Sequence, residues 1–214
     1  MNILLTYIIS NVSKSLAFEW IAAYLNKDKF KLQFILINSK SSVLKYFLNQ
    51  HDTDVEEINF NGKRDYLKTL IKLTFLLRKC KPDIVHAHLF DASLIGLTAA
   101  KICGVKKRIY TRHHSDFHHV YFPVAVKYDR WCNWLATDIV SISQIVSKVL
   151  IEKEDVLPEK IKCIHHGFDL KSFHAISENK LQELILKYNK NKNRPIIGVI
   201  SRWTHWKGIQ FIIP

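Results

Sequence analysis

Two parts of the chain concentrate side chains able to do chemistry. The first is Ser201-Arg202-Trp203-Thr204-His205-Trp206-Lys207-Gly208. An Arg closing one element and a Lys opening a following helix can converge on one diphosphate, helped by the helix dipole. Arg offers a planar fork to phosphate oxygens, and Lys supplies a point charge. The second is a set of imidazoles, His86-x-His88, His113-His114, His118-His119 and His165-His166, drawn from 11 histidines in all. Alternation along a strand puts His86 and His88 on one face. With Asp91 or Asp116 they would suit a metal-dependent hydrolase, although neighbouring His pairs diverge on an extended chain. Asp52-Thr53-Asp54 is a further carboxylate pair, of a kind common in loops.

Composition narrows the choice of partner. The 214 residues are 48% hydrophobic and 24% charged, enough for a packed core. With 6 Gly, 5 Pro and 4 Cys, disordered, collagen-like and disulfide-stapled classes are excluded. Cys80, Cys103, Cys132 and Cys163 form no CxxC, so buried free thiols in a reducing cytosol are expected. No apolar run approaches the ~18 residues that span a bilayer. The net charge of +13 favours an anionic partner: a phosphorylated small ligand, nucleic acid or an anionic membrane. A nucleic-acid binder would interleave aromatics with Lys and Arg on its surface. Here Phe18, Trp20, Tyr24, Phe47 and Phe75 fall at helical core spacing, so no nucleic-acid partner is expected. A non-enzymatic anion-binding module stays open beside the enzyme readings.

The elements that must position these residues alternate regularly. The continuous apolar run at 3–9 and the segment 32–37 read as buried parallel strands, 55–60 as a candidate short third strand, and 84–87, 107–111, 138–142 and 161–165 as further strands. Helical periodicity fills 13–26, 43–48 (capped by Ser41), 66–80, 92–103, 123–134 and 144–153 (capped by Ser143). The pattern predicts an α/β fold, a doubly wound, Rossmann-like parallel sheet, over residues 1–173. Residues 174–214 read as a connection, a helix at 178–188, a strand at 195–200 and a helical start near Lys207. In such sheets ligands bind beyond the carboxyl ends of the strands. Ser10, Asn11, His86, His88, Arg112 to His114, Ser141, Ser143, His165, His166 and Arg202 occupy those ends.

The ordered motifs carry a resemblance. KPDIVHAHLFDASLIGLTAAKICGV, RIYTRHHSD, IVSISQIVSKVLIEK, IKCIHHGFDLKSF and the Arg202…Lys207-Gly208 segment together resemble family 4 glycosyltransferases along almost the whole chain. The resemblance implies a B-type fold of two Rossmann domains, residues 1–173 being the acceptor domain and 174–214 the start of a donor domain. It implies sugar transfer from a nucleotide-sugar donor to a carbohydrate or lipid-linked acceptor, as in polysaccharide or glycolipid biosynthesis. Retention of configuration, no metal and no cofactor are further implications. It assigns Arg202 and Lys207 to the donor diphosphate, His113 to the reacting sugars, and Ser10, Asn11, His88, Ser143 and His166 to the cleft. Ser10-Asn11-Val12-Ser13 stands where the family has a Gly-Gly pair, Ser201 where it has Gly, and His166 where it has Asn. The family's paired glutamates would lie beyond residue 214, so the chain alone is expected to lack most of a donor site and to be nearly inactive.

One helix bears on location. Lys68, Lys72 and Lys79 share a stripe of the 66–80 helix, while Leu67, Leu70, Ile71 and Leu77 are expected to enter the core. With the net charge, this suggests a cytoplasmic protein held peripherally on an anionic inner leaflet.

Overall fold

The computed structural model describes residues 2–170, 176–189, 195 and 197–212. Residues 171–173, which end the IKCIHHGFDLKSF motif, residues 174–175, and residues 190–194 between the expected helix and strand lie outside them. The chain divides into two compact units, Met1–Phe168 and Asp169–Pro214.

The first unit is a seven-stranded sheet in the order β3-β2-β1-β4-β5-β6-β7. Its strands are β1 Ile3–Ser10, β2 Phe30–Asn38, β3 Asp54–Asn59, β4 Ile84–His88, β5 Lys107–Arg112, β6 Asp138–Ser141 and β7 Ile161–Cys163. Every pairing is parallel. The central strands are apolar without alternation because helices cover both faces. Ile8, Ile35 and Ile37 face one cluster with Leu73 and Leu77, while Tyr7, Ile9, Phe34 and Leu36 face another with Phe18, Leu44 and Leu48. Strand order changes direction between β1 and β4, where the topology opens a crevice at the carboxyl ends.

The helices are α1 Leu16–Tyr24, α2 Val43–Gln50, α3 Tyr66–Cys80, α4 Phe90–Ile102, α5 Phe117–Tyr121, α6 Val126–Leu135 and α7 Gln144–Glu152. Ser42 rather than Ser41 caps α2, its side chain accepting from the Leu44 N–H. Ser143 caps α7 as expected, accepting from Val146 N–H. The single helix expected at 123–134 is a 3-10 turn, Pro123–Ala125, followed by α6, and the short α5 precedes it. Among the four cysteines, all free, only Cys132 is fully buried. Tyr24 and Phe75, read from spacing as core, are 72% and 67% exposed.

In the second unit, α8 spans Glu178–Tyr188, with Ser177 as its cap. The expected strand at 195–200 does not form at its described positions, Pro195 and 197–200. A parallel strand exists through its ladder partners, and no other strand occurs among the described residues of this unit. Lys207 likewise ends a 3-10 turn, His205–Lys207, instead of opening a helix.

Candidate active site

The crevice floor is built by the loop after β1. Asn11 adopts a left-handed φ of 54°, which Asn tolerates better than most residues. The loop has no glycine, yet hydrogen bonds fix it from three sides. Asn38 accepts from Val12 N–H at 3.0 Å and donates to Val12 C=O at 2.9 Å. Ser42 Oγ donates to Ser13 C=O at 2.9 Å. Asn11 Nδ2 donates to Asp91 Oδ2 at 2.8 Å, and the other Asp91 oxygen accepts from the Tyr66 hydroxyl. Asp91 therefore ties the β1 loop and α3 to the first turn of α4. Ser10 is fully buried, its Oγ accepting from Ala92 N–H at 3.1 Å.

Beyond this floor stands a row of imidazoles. His86 and His88, two residues apart on β4, share a face with ring centroids 4.3 Å apart. Tyr7 stacks on His88 at 5.3 Å, and Phe18 meets it edge-on at 4.9 Å. His88 Nδ1 and His113 Nε2 lie 3.2 Å apart and share one proton. His166 stacks on His113 at 5.8 Å. His86 Nε2 pairs with Thr111 Oγ1 at 2.9 Å. Burial disfavours the charged ring: with His113 alongside, it holds His86 at about 3. Burial and neighbouring imidazoles put His88 well below its ordinary value. Burial, then His166, lowers His113 to about 4. His86, His88 and His113 are therefore neutral near pH 7, and His113 stands there as an uncharged hydrogen-bonding group. The turn from β4 into α4 runs through Leu89 at φ 69° and ψ 164°, a region that costs a non-glycine residue about 1–3 kcal/mol.

A neighbouring polar cluster fixes the segment that carries His113. Arg112 Nε donates to His114 C=O at 3.1 Å. Its guanidinium meets Asp129 at 3.0 Å and Glu154 at 2.6 Å. Asn133 Nδ2 donates to Glu154 Oε2 at 2.7 Å, His119 Nε2 reaches Glu154 Oε1 at 3.0 Å, and His118 Nδ1 reaches Asp129 Oδ2 at 2.7 Å. The placing of Arg112 among the ligand-facing strand ends is thus corrected. Its side chain is only 3% exposed, and both partners are buried carboxylates.

Residues 22–172, about 70% of the chain, match the profile of Glycosyltransferase Family 4. The chain belongs to that family. It is 32% identical over 130 residues to the Escherichia coli UDP-Gal:alpha-D-GlcNAc-diphosphoundecaprenol alpha-1,3-galactosyltransferase, covering 58% of this chain and 34% of that protein. It is also 32% identical over 180 residues to the Staphylococcus aureus capsular polysaccharide biosynthesis glycosyltransferase CapM, covering 78% and 46%. The chain therefore spans about a third to a half of the curated relatives it matches. Among solved structures, HepE of Anabaena in complex with UDP and glucose superposes with a TM-score of 0.75 at 19% identity. That match covers 98% of this chain and 56% of HepE. The seven-stranded parallel sheet is the Rossmann-like half of the B-type glycosyltransferase architecture.

Within this family 4 chain, the structure brings Asn11, His88, His113 and His166 to the carboxyl ends of β1, β4, β5 and β7, with Ser10 buried beneath them. Ser143 stands at the end of β6, its hydroxyl committed to the α7 cap. Arg202 and Lys207 are both exposed and belong to the second unit. There Thr204 N–H donates to Arg202 C=O at 2.9 Å, and Lys207 N–H to Thr204 C=O at 3.0 Å.

His114, His118 and Asp129 each offer one metal-ligand atom, and these three atoms lie within 4.8 Å of one another. Burial and the Arg112 charge lower His114 to about 3. The Arg112 guanidinium, already against Asp129, would repel a divalent cation, and His118 occupies the other carboxylate oxygen. This group fits an ion-pair network better than a metal centre. Asp91 entered the sequence reading only as a metal candidate, and its link to Asn11 and Tyr66 had no sequence signal.

Proposed function

We propose that the protein transfers a sugar from a nucleotide-sugar donor to a carbohydrate or lipid-linked acceptor, with retention of configuration and without a metal. The observation that carries the reading is the neutral His88–His113 pair at the β4 and β5 ends of a family 4 chain. A neutral imidazole can hydrogen-bond sugar hydroxyls without bringing charge to the reacting carbon. The relatives support the substrate classes: one uses UDP-Gal and a diphosphoundecaprenol-linked acceptor, and another acts in capsule synthesis. In this reading the first unit holds the acceptor. Arg202 and Lys207 stabilise the charge that develops on the departing nucleoside diphosphate, as preorganised cations do. Ser10, Asn11, Ser143 and His166 shape the cleft, Ser10 by fixing the start of α4. The chain spans about a third to a half of its curated relatives, and in this reading these 214 residues on their own turn over little.

The test is a panel of UDP-sugars with lipid-linked and oligosaccharide acceptors, with product configuration read by NMR, in the presence and absence of a chelator. Arg202→Ala and Lys207→Ala should each cost about 2–4 kcal/mol of transition-state stabilisation in the active protein. His113→Ala should lower turnover with the fold intact. Near-wild-type kinetics in both cationic variants would remove those residues from the donor site.

A further inference from the structure

The helix α3 presents an unusual outer face. Its inner residues Thr69, Leu73 and Leu77 are buried. Leu67, Ile71 and Phe75, at i, i+4 and i+8, are 69%, 63% and 67% exposed. This corrects the expectation that Leu67 and Ile71 enter the core: the helix has apolar residues around more than half its circumference, and α4 with the sheet covers only one side. At ~100° per residue the three exposed side chains lie within about 80° of one another, over a length of about 12 Å. Lys68, Lys72 and Lys79, all exposed, form the adjoining stripe. The helix sequence, YLKTLIKLTFLLRKC, contains no carboxylate. Among the described residues no acidic side chain pairs with any of these three lysines.

An apolar ridge beside a row of unpaired cations is a poor water-facing surface. It suits a boundary that offers hydrocarbon and negative charge side by side. We propose that the outer face of α3 docks on an anionic lipid bilayer, with Leu67, Ile71 and Phe75 entering the acyl boundary and Lys68, Lys72 and Lys79 meeting the headgroups. The ridge matches the amphipathic pattern of helices that lie in the interface plane. Charge complementarity selects a bilayer over a neutral apolar partner. Docking would hold the catalytic crevice near a lipid-linked acceptor, but the surface argument stands without the transferase reading.

The experiment is co-sedimentation with phosphatidylcholine vesicles and with vesicles containing phosphatidylglycerol, at low and high salt. The protein should bind the anionic vesicles at least tenfold more tightly, and salt should release it. Leu67→Ser with Phe75→Ser should lower binding at least tenfold, because these side chains are exposed and not part of the core. Lys68→Gln, Lys72→Gln and Lys79→Gln together should lower it by about 100-fold. The control with the same charge change elsewhere, Lys14→Gln with Lys40→Gln and Lys106→Gln, should bind within threefold of wild type. Circular dichroism would confirm that each variant is folded. Equal binding to both vesicle types, equal loss in the control, or no binding would overturn the proposal. So would a dimer that the Leu67→Ser, Phe75→Ser variant converts to monomer, since the ridge would then be a contact between copies. The binding assay involves no sugar transfer, so its outcome and that of the activity assay are read separately.

Discussion

Lowering the pH should unfold this protein by a route written in its imidazole row. His86, His88, His113 and His114 all have proton affinities lowered by burial. In the unfolded chain each titrates near ~6.5. A lowered folded value means that the unfolded state takes up protons first, so stability present above ~6.5 is lost as pH falls toward the folded values. The folded values, about 3 for His86 and His114 and about 4 for His113, set the lower end of that window. Each proton taken up on unfolding costs about 1.4 kcal/mol per pH unit. With four such rings, the loss between pH 6 and 5 comes to about 4–5 kcal/mol, comparable to the whole stability of a marginal domain. Asp129 acts in the opposite sense, because burial raises its proton affinity despite Arg112. It is one group against four, so it offsets only part of the histidine effect. Urea unfolding at pH steps from 7.5 to 5 reads the effect, as the slope of unfolding free energy against pH gives the proton uptake. The double variant His86→Gln, His88→Asn should reduce that uptake by about two protons. A slope of one proton or less in the wild-type protein would refute the buried, neutral row.

Two further outcomes test the packing. Arg112→Met leaves Asp129 and Glu154 as buried charges without their cation, and should cost about 3–5 kcal/mol, seen as a fall of roughly 6–20 °C in melting temperature. At Gly96 an added Cβ would stand 3.1 Å from Ile8 Cδ1, so Gly96→Val should lower the melting temperature by an amount equivalent to about 1–3 kcal/mol. Gly96→Ala should be milder, since better helix propensity offsets about 1 kcal/mol of the crowding.

Much of the frame was legible because parallel strands covered on both faces leave long apolar runs, as in Ile3–Ser10 and Phe30–Asn38. The Ser143 cap was legible because capping is local. The role of Arg112 was not. Its partners Asp129 and Glu154 lie 17 and 42 positions along the chain, and only the folded topology brings them together. Nor could spacing say which side of α3 meets the sheet, since apolar residues lie on both of its flanks. The α5 turn at Phe117–Tyr121 is too short for a helical period to register. Of the site, the His86/His88 pairing on one face followed from strand alternation. The meeting of His88 with His113 depended on β4 and β5 being neighbours in register, His88 standing opposite Thr111.

The strand order also imposes a schedule on biosynthesis. β1 is the first strand made, and it pairs with β2 on one side and β4 on the other. When β2 has left the ribosome, the far edge of β1 still has no ladder partner until β4 has emerged about 50 residues later. At ~5–20 residues per second, that interval lasts about 2–10 s. During it, the most apolar strand of the sheet presents an open row of amide and carbonyl groups, the template on which extended chains aggregate. The nascent protein is most in need of a chaperone while α3 is being synthesised, and expression at lower temperature, which slows aggregation as well as elongation, should raise the soluble yield.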